Sequence, residues 1–199
     1  MRLIRFIALA LAGVVTVASI TACGQRKAGD QAVGEAVEEA EAVVETVYTA
    51  VDKYIVETIG EGYEPAEYNI PFYSYTVVDD SDPEDIQVWG DFWLLNYNLS
   101  GDTLKTASGG AYPGKMHVKK TETGFEVTSF EPVGDGSEFT PTAKKIFGDK
   151  FDEFMAANSD EVKREAARLE SIKEFVKANE LPVKYYQDYG WPAVEIPSE

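Results

Sequence analysis

The chain has 199 residues, and 35 acidic against 18 basic side chains give it a formal net charge of −17. Such a surface repels nucleic acid and anionic headgroups, which excludes a nucleic-acid binder and leaves cationic partners open. An aromatic share of 12% is too high for a disordered chain.

Arg2 and Arg5 precede an apolar run from Phe6 to Val17. The run is too short and too abruptly ended for a membrane span, and it reads as an export signal. Small residues then lead into Ile20-Thr21-Ala22-Cys23. This stretch resembles the lipobox of bacterial lipoproteins: an apolar residue, two small residues and a cysteine. The resemblance implies cleavage before Cys23, a lipid such as palmitate carried through its sulfur, and often acylation of the new amino terminus. Each buried CH₂ contributes roughly 0.8 kcal/mol, so two or three chains hold a protein firmly in a bilayer. Cys23 is the only cysteine, so no intramolecular disulfide forms. Gly24 to Gln31 is polar and small, like a flexible tether. Residue 24 is Gly, not the Asp that retains some lipoproteins at the inner membrane. The expectation is an exported protein, lipid-anchored to the cell membrane, at the outer membrane where the host has one. The organisation is then a signal peptide (1–22), a lipidated cysteine with its tether (23–31) and a single domain (32–199).

Within that domain, 32–59 reads as one long helix. Val33, Val37, Ala40, Val44, Val47, Val51, Tyr54 and Thr58 recur at spacings of four and three, and Gly60 and Gly62 end it. Residues 68–131 change to the period of strands. Tyr68 to Val78 is aromatic and β-branched, and Asp79 to Asp85 is a turn. Ile86 to Leu99 is a long strand, kinked or bulged at Gly90. Ser100-Gly101-Asp102 is a tight connection to a strand at Thr103 to Ala107. Ser108 to Gly114 breaks the pattern as a loop. Lys115 to Lys120 and Phe125 to Glu131 pair as a hairpin across Thr121 to Gly124.

Helical signals return over 140–178. Thr140-Pro141 starts one helix, with Ile146, Phe147, Phe151, Phe154 and Met155 on its apolar face. A second starts at Ser159, with Val162, Ala166, Leu169, Ile172 and Val176 inward, and closes at Asn179 and Pro182. An aromatic tail (179–199) follows, containing Tyr185, Tyr186, Tyr189 and Trp191. It seals the sheet or forms an exposed patch.

A helix, an antiparallel meander and two further helices make an α+β fold. The expected architecture is a long N-terminal helix packed on a curved antiparallel sheet of four to five strands, followed by two C-terminal helices. The element order over 32–131 resembles the cystatin-like and nuclear-transport-factor-2-like families. That resemblance implies a cone with a pocket, used for binding or, less often, for catalysis.

Chemistry is sparse. His117 is the only histidine, so any Ser–His–Asp arrangement must use it. It shares a strand face with Lys115 and Lys119, opposite Met116 and Val118, and its ordinary role is a solvent-facing strand histidine. No nucleophile elbow, P-loop or dinucleotide fingerprint occurs. The acidic turn offers Asp79, Asp80 and Asp82 as calcium candidates, but Glu84 stands where an EF-hand loop needs glycine. A solvated turn is the ordinary reading, and no cofactor is expected.

The aromatic residues carry the binding hypothesis. Trp89, Trp93 and Tyr97 share one face of the long strand with Asp91 and Leu95; Phe92 and Leu94 share the other. Their ordinary role is core, and their functional one a stacking surface for sugar or peptide. Tyr112, in the Ser108–Gly114 stretch, and His117 complete the candidate ligand-binding set. The reading favours a non-enzymatic module, held at the membrane through Cys23, that binds an envelope protein or small ligand. The alternative is an envelope hydrolase or isomerase using carboxylates and tyrosines in a sheet pocket.

Overall fold

The computed structural model describes residues 47–197. The export signal, Cys23 with its tether, and residues 32–46 of the expected first helix lie outside the described residues. The α+β class stands, with helices on a curled, mixed six-stranded sheet. A long N-terminal helix is not shown. Helix α1 runs over 47–59, α-helical to 54 and π-helical over Ile55–Ile59. A 3₁₀ turn at Gly60–Gly62 ends it, where the glycines predict an end.

The strands are β1 (Tyr68–Asp79), β2 (Ile86–Ser100), β3 (Thr103–Thr121), β4 (Gly124–Pro132), β5 (Tyr185–Gln187) and β6 (Val194–Glu195). Neighbours along the sheet run β1-β2-β3-β5-β6, and β4 pairs with the far half of β3. The expected all-antiparallel sheet is corrected at β5, which lies parallel to the start of β3. The chain leaves β4 opposite Gly114, in the middle of β3, and returns through helices to the start of β3, and such a crossover delivers a parallel strand.

The predicted Ser108–Gly114 loop is the middle of β3. The glycines there answer to crowding rather than to a turn. A Cβ on Gly109 would stand 2.5 Å from the Leu94 carbonyl oxygen, and one on Gly114 would stand 2.4 Å from that of Glu131. Gly90 holds its register against Thr76 and Gly114, so the expected bulge is absent there. The register shifts fall between Tyr73 and Tyr75 in β1, at Asn96/Tyr97 in β2 and at His117/Val118 in β3. The tight β2–β3 connection is as expected, with Ser100 opposite Thr103 and Gly101 at φ +66°.

Three C-terminal helices are described rather than two: α2 (Phe139–Phe147), α3 (Phe151–Ser159) and α4 (Glu161–Ala178). Gly148, at φ +55°, splits the first of the expected pair. In α4 the Asp160 side chain accepts from the Lys163 amide at 3.0 Å and caps the helix. Its buried side chains are Arg168, Ser171, Ile172 and Phe175, whereas Val162, placed inward by the sequence pattern, is 83% exposed.

Both faces of the sheet are covered, as the two apolar sets on β2 predict. Val88, Phe92 and Leu94 join Tyr73 beneath Val47, Val51 and Ile55 of α1. On the opposite face, Trp89 and Tyr75 pack with Phe147 and Phe154 of α2 and α3. Farther along that face, Tyr97, Ile70 and Leu104 pack with Ile172 and Phe175 of α4 and Tyr186 of β5. This burial is the main stabilising term, at roughly 25 cal/mol per Å² of apolar surface removed from water.

Candidate functional site

The C-terminal strands form a hairpin, with Tyr185 opposite Glu195 and Tyr186 opposite Val194. Its connection turns at Asp188-Tyr189-Gly190-Trp191. The Trp191 amide donates to the Asp188 carbonyl at 3.1 Å, and Gly190 sits at φ +79°. A positive φ at the third position is what a type II turn requires, and glycine supplies it without strain. Outside the turn, Gln187 Nε2 donates to the Trp191 carbonyl at 2.8 Å.

The turn is pinned from the protein interior. Arg168, on the inner side of α4 with a side chain 7% exposed, reaches the first residue of the turn. Its Nη1 donates to Asp188 Oδ2 and its Nη2 to Asp188 Oδ1, each at 2.7 Å. Its Nε and Nη2 also donate to the Tyr97 hydroxyl, at 3.1 and 3.0 Å. Thr106 Oγ1 donates to Asp188 Oδ1 at 2.6 Å. The guanidinium lies 4.7 Å from the centre of the Tyr186 ring. Burial opposes the charge on Arg168, but the hydrogen bonds it donates to Asp188 and Tyr97 outweigh it and raise its pKa. The same hydrogen bond to Arg168 holds the Asp188 carboxyl below its usual range. Burial pushes the Tyr97 hydroxyl up to about 12, against the pull of Arg168.

What this anchor displays is apolar. Tyr189 is 97% exposed and Trp191 71%, and Val194 on β6 is also exposed. Among the described residues, Val162 is the one exposed large hydrophobic side chain outside the hairpin. A groove of about 530 Å³ opens between α4 and the base of the hairpin, with Val176, Val183 and Ile196 among its lining residues.

The residues singled out in the sequence are not brought together. Trp89 lies in the core, its Nε1 donating to the Ile146 carbonyl at 2.9 Å. Trp93 stacks on Phe72 with ring centres 5.6 Å apart and carries Arg164 on its face at 5.4 Å. Tyr97 is the fully buried partner of Arg168. Tyr112 lies on the α1 side of the sheet, hydroxyl to hydroxyl with Tyr63.

His117 stands between two carboxylates, with Nδ1 2.6 Å from Asp85 and Nε2 2.9 Å from Glu131. Lys115 shares Glu131 at 2.7 Å. Partial burial disfavours the imidazolium, yet the hydrogen bonds to Glu131 and Asp85 prevail and raise its pKa. In the acidic turn, Asp79 and Asp82 accept from the amides of Ser81 and Glu84, and Asp80 is exposed. Among the described residues, no group of three or more His, Cys, Asp or Glu side chains is placed to hold a metal ion.

One carboxyl was not singled out by the sequence. Asp52 of α1 is 4% exposed and accepts a hydrogen bond from the Tyr73 hydroxyl. Burial raises its pKa to about 7, with the Tyr73 hydrogen bond working the other way. Its signal is faint: a lone acid one residue after Val51 in an apolar helix stripe.

No protein-family model, curated protein or solved structure matches this chain. Among the described residues, no helix is long and apolar enough to cross a membrane.

Proposed function

We propose that this chain is a lipid-anchored envelope protein, held through Cys23, whose folded residues form a non-enzymatic binding module. The Asp188–Trp191 turn is its recognition element. The observation that carries this reading is the pairing of exposed Tyr189 and Trp191 with a buried, doubly bonded Arg168–Asp188 anchor beneath them. Exposed aromatic rings on a rigid base bind with little loss of conformational entropy. The lipobox-like Ile20–Cys23 stretch and the single cysteine support the anchor.

In-cell cross-linking of the tagged full chain tests the reading. A reproducible envelope partner is expected, lost when Tyr189→Ala and Trp191→Ala are combined. Retention of that partner by the double variant contradicts it. Fatty-acid labelling tests the anchor separately: Cys23→Ala abolishes label, and unchanged label removes the lipoprotein claim.

The Asp52–Tyr73 pair favours a second reading, an envelope isomerase or hydrolase. A buried carboxyl titrating near 7 is suited to proton transfer. It requires a substrate to enter beneath α1. Cells carrying Asp52→Asn that match wild type in every phenotype of the gene deletion would dismiss it.

A further inference from the structure

The layer between α1 and the sheet buries a carboxyl without a counter-ion. Asp52 lies midway along α1 and is 4% exposed. Val51 and Ile55 of the same helix pack there with Tyr73, Phe92, Leu94 and Met116 of the sheet. The Tyr73 hydroxyl donates to Asp52 Oδ1, and among the described residues Asp52 makes no ion pair. Arg168, the one buried cation of the described residues, serves Asp188 and Tyr97 on the opposite face.

The charged groups that flank α1 stand in solvent. Lys53 and Glu57 are exposed and pair with each other at 3.9 Å. Glu126 of β4 borders the same groove, and Lys120 of β3 is exposed opposite Phe125. The other titratable groups packed into the layer are tyrosines: Tyr48, Tyr54, Tyr63, Tyr73 and Tyr112. Burial and the Asp52 carboxyl push the Tyr73 hydroxyl up, so it stays a donor. His117 is engaged by Asp85 and Glu131.

Only the protonated acid suits this layer. An ionised Asp52 loses its water and has one phenol in exchange, and burial without a counter-ion disfavours the charge. Lifting α1 restores the water. The helix depends on its docking: Ile55, Val56, Thr58 and Ile59 are β-branched and wound as a π-helix, so intrinsic propensity does little to hold them. When α1 lifts, β1, β2 and β3 keep their ladders. They also keep the cover of α2, α3 and α4 on the other face. Such a one-sided element opens on its own more readily than the whole fold.

We infer that α1 is a pH-gated flap, docked on the sheet with Asp52 protonated and opening from it more often when Asp52 ionises. Opening presents the apolar face of Tyr73, Phe92, Leu94 and Met116 to solvent. The device is independent of the Asp188–Trp191 turn, which is pinned from the other face of the sheet.

Amide hydrogen exchange on the full chain in neutral detergent tests the flap, across a series from about pH 5.5 to about pH 8.5. Rates are read by mass spectrometry and corrected for the intrinsic pH dependence of exchange. With the Asp52 midpoint at about 7, the opening equilibrium of α1 should rise about thirtyfold over the series. Peptides from α1 should exchange ahead of those from β2 and β3 throughout. Asp52→Asn, which keeps an acceptor for Tyr73, should flatten the response of α1. Tyr73→Phe removes a bond that favours the ionised form, so it should move the α1 transition to higher pH. Equal opening of wild-type α1 at both ends of the series overturns the proposal. So does the same rise in Asp52→Asn, or a Tyr73→Phe transition that stays in place or moves to lower pH. Exchange of α1 in step with β2 and β3 also overturns it, because the chain then opens only by unfolding as a whole.

Discussion

Arg168 and Asp188 meet through two parallel 2.7 Å hydrogen bonds that join α4 to the head of the C-terminal turn. A fork of this kind fixes orientation as well as distance, which a lysine cannot reproduce. Arg168→Ala would leave the Asp188 carboxylate and the buried Tyr97 hydroxyl without their main partner. Asp188 is 39% exposed, so solvent softens the loss. The expected destabilisation is about 2–4 kcal/mol in urea unfolding, and Arg168→Lys recovers only part of it. A loss within about 0.5 kcal/mol, the range of ordinary surface substitutions, would remove the anchor from the account.

Asp52 makes the fold favour acid. Its folded pKa of about 7 lies above the ordinary 3.8, so the native state holds a proton that the unfolded chain releases. The Asp52 contribution is fully present below pH 3.8 and is lost as pH rises to about 7, above which it stays lost. The full span corresponds to about 4 kcal/mol. Asp52→Asn removes the titration and keeps an acceptor for Tyr73. The wild-type minus Asp52→Asn stability difference should therefore fall with pH across this window and flatten above it. A flat difference throughout contradicts the buried carboxyl.

His117 reports on itself, because the chain has no other histidine. Its imidazole signal in a proton NMR titration should show a midpoint above 6.5, since Glu131 and Asp85 outweigh partial burial. The raised value means that the stability it contributes is fully present below pH 6.5 and is lost as pH rises through the folded midpoint. Glu131→Gln should lower that midpoint. A wild-type midpoint at or below 6.5 contradicts the two-carboxylate setting.

Gly114 is sterically required. A Cβ there would meet the Glu131 carbonyl oxygen at 2.4 Å and the Phe130 ring at 2.6 Å. Backbone cannot swing aside as a side chain can, so β4 must shift away from β3. Gly114→Ala should cost about 1–3 kcal/mol of stability, the range for overpacking. Gly62→Ala, with nothing within 4 Å of its Cβ, is the matched control and should change little. Equal stability of the two variants would contradict the crowding.

Much of the fold was legible because strand alternation is local. The two faces of β2 are both buried as Trp89, Trp93 and Tyr97 against Phe92 and Leu94 predict, and Met116 and Val118 face inward as their alternation with Lys115 and His117 predicts. Alternation fails at bulges. The shift at His117/Val118 leaves Thr128 between Val127 and Ser129, so Phe130 joins Val127 on the α1 side although strict alternation separates them. Ser108–Gly114 reads as a loop because glycine needed for crowding looks like glycine needed for a turn. In α4, a stripe drawn through Val162 and Ala166 put Arg168 outside. The exposed aromatic patch was legible as one of two readings of the tail, but its anchor stayed hidden, because it depends on Arg168 meeting Asp188, 20 residues away. That pairing exists only after β5 docks beside β3.

Position-specific photo-cross-linking in cells tests the central claim most directly. A photoreactive residue placed at Tyr189 is compared with one at Val162, an exposed position in the first turn of α4 rather than in the hairpin. The account predicts a discrete cross-linked partner from position 189 and none from 162. The same partner from both positions, or from 162 alone, would contradict the turn as the recognition element.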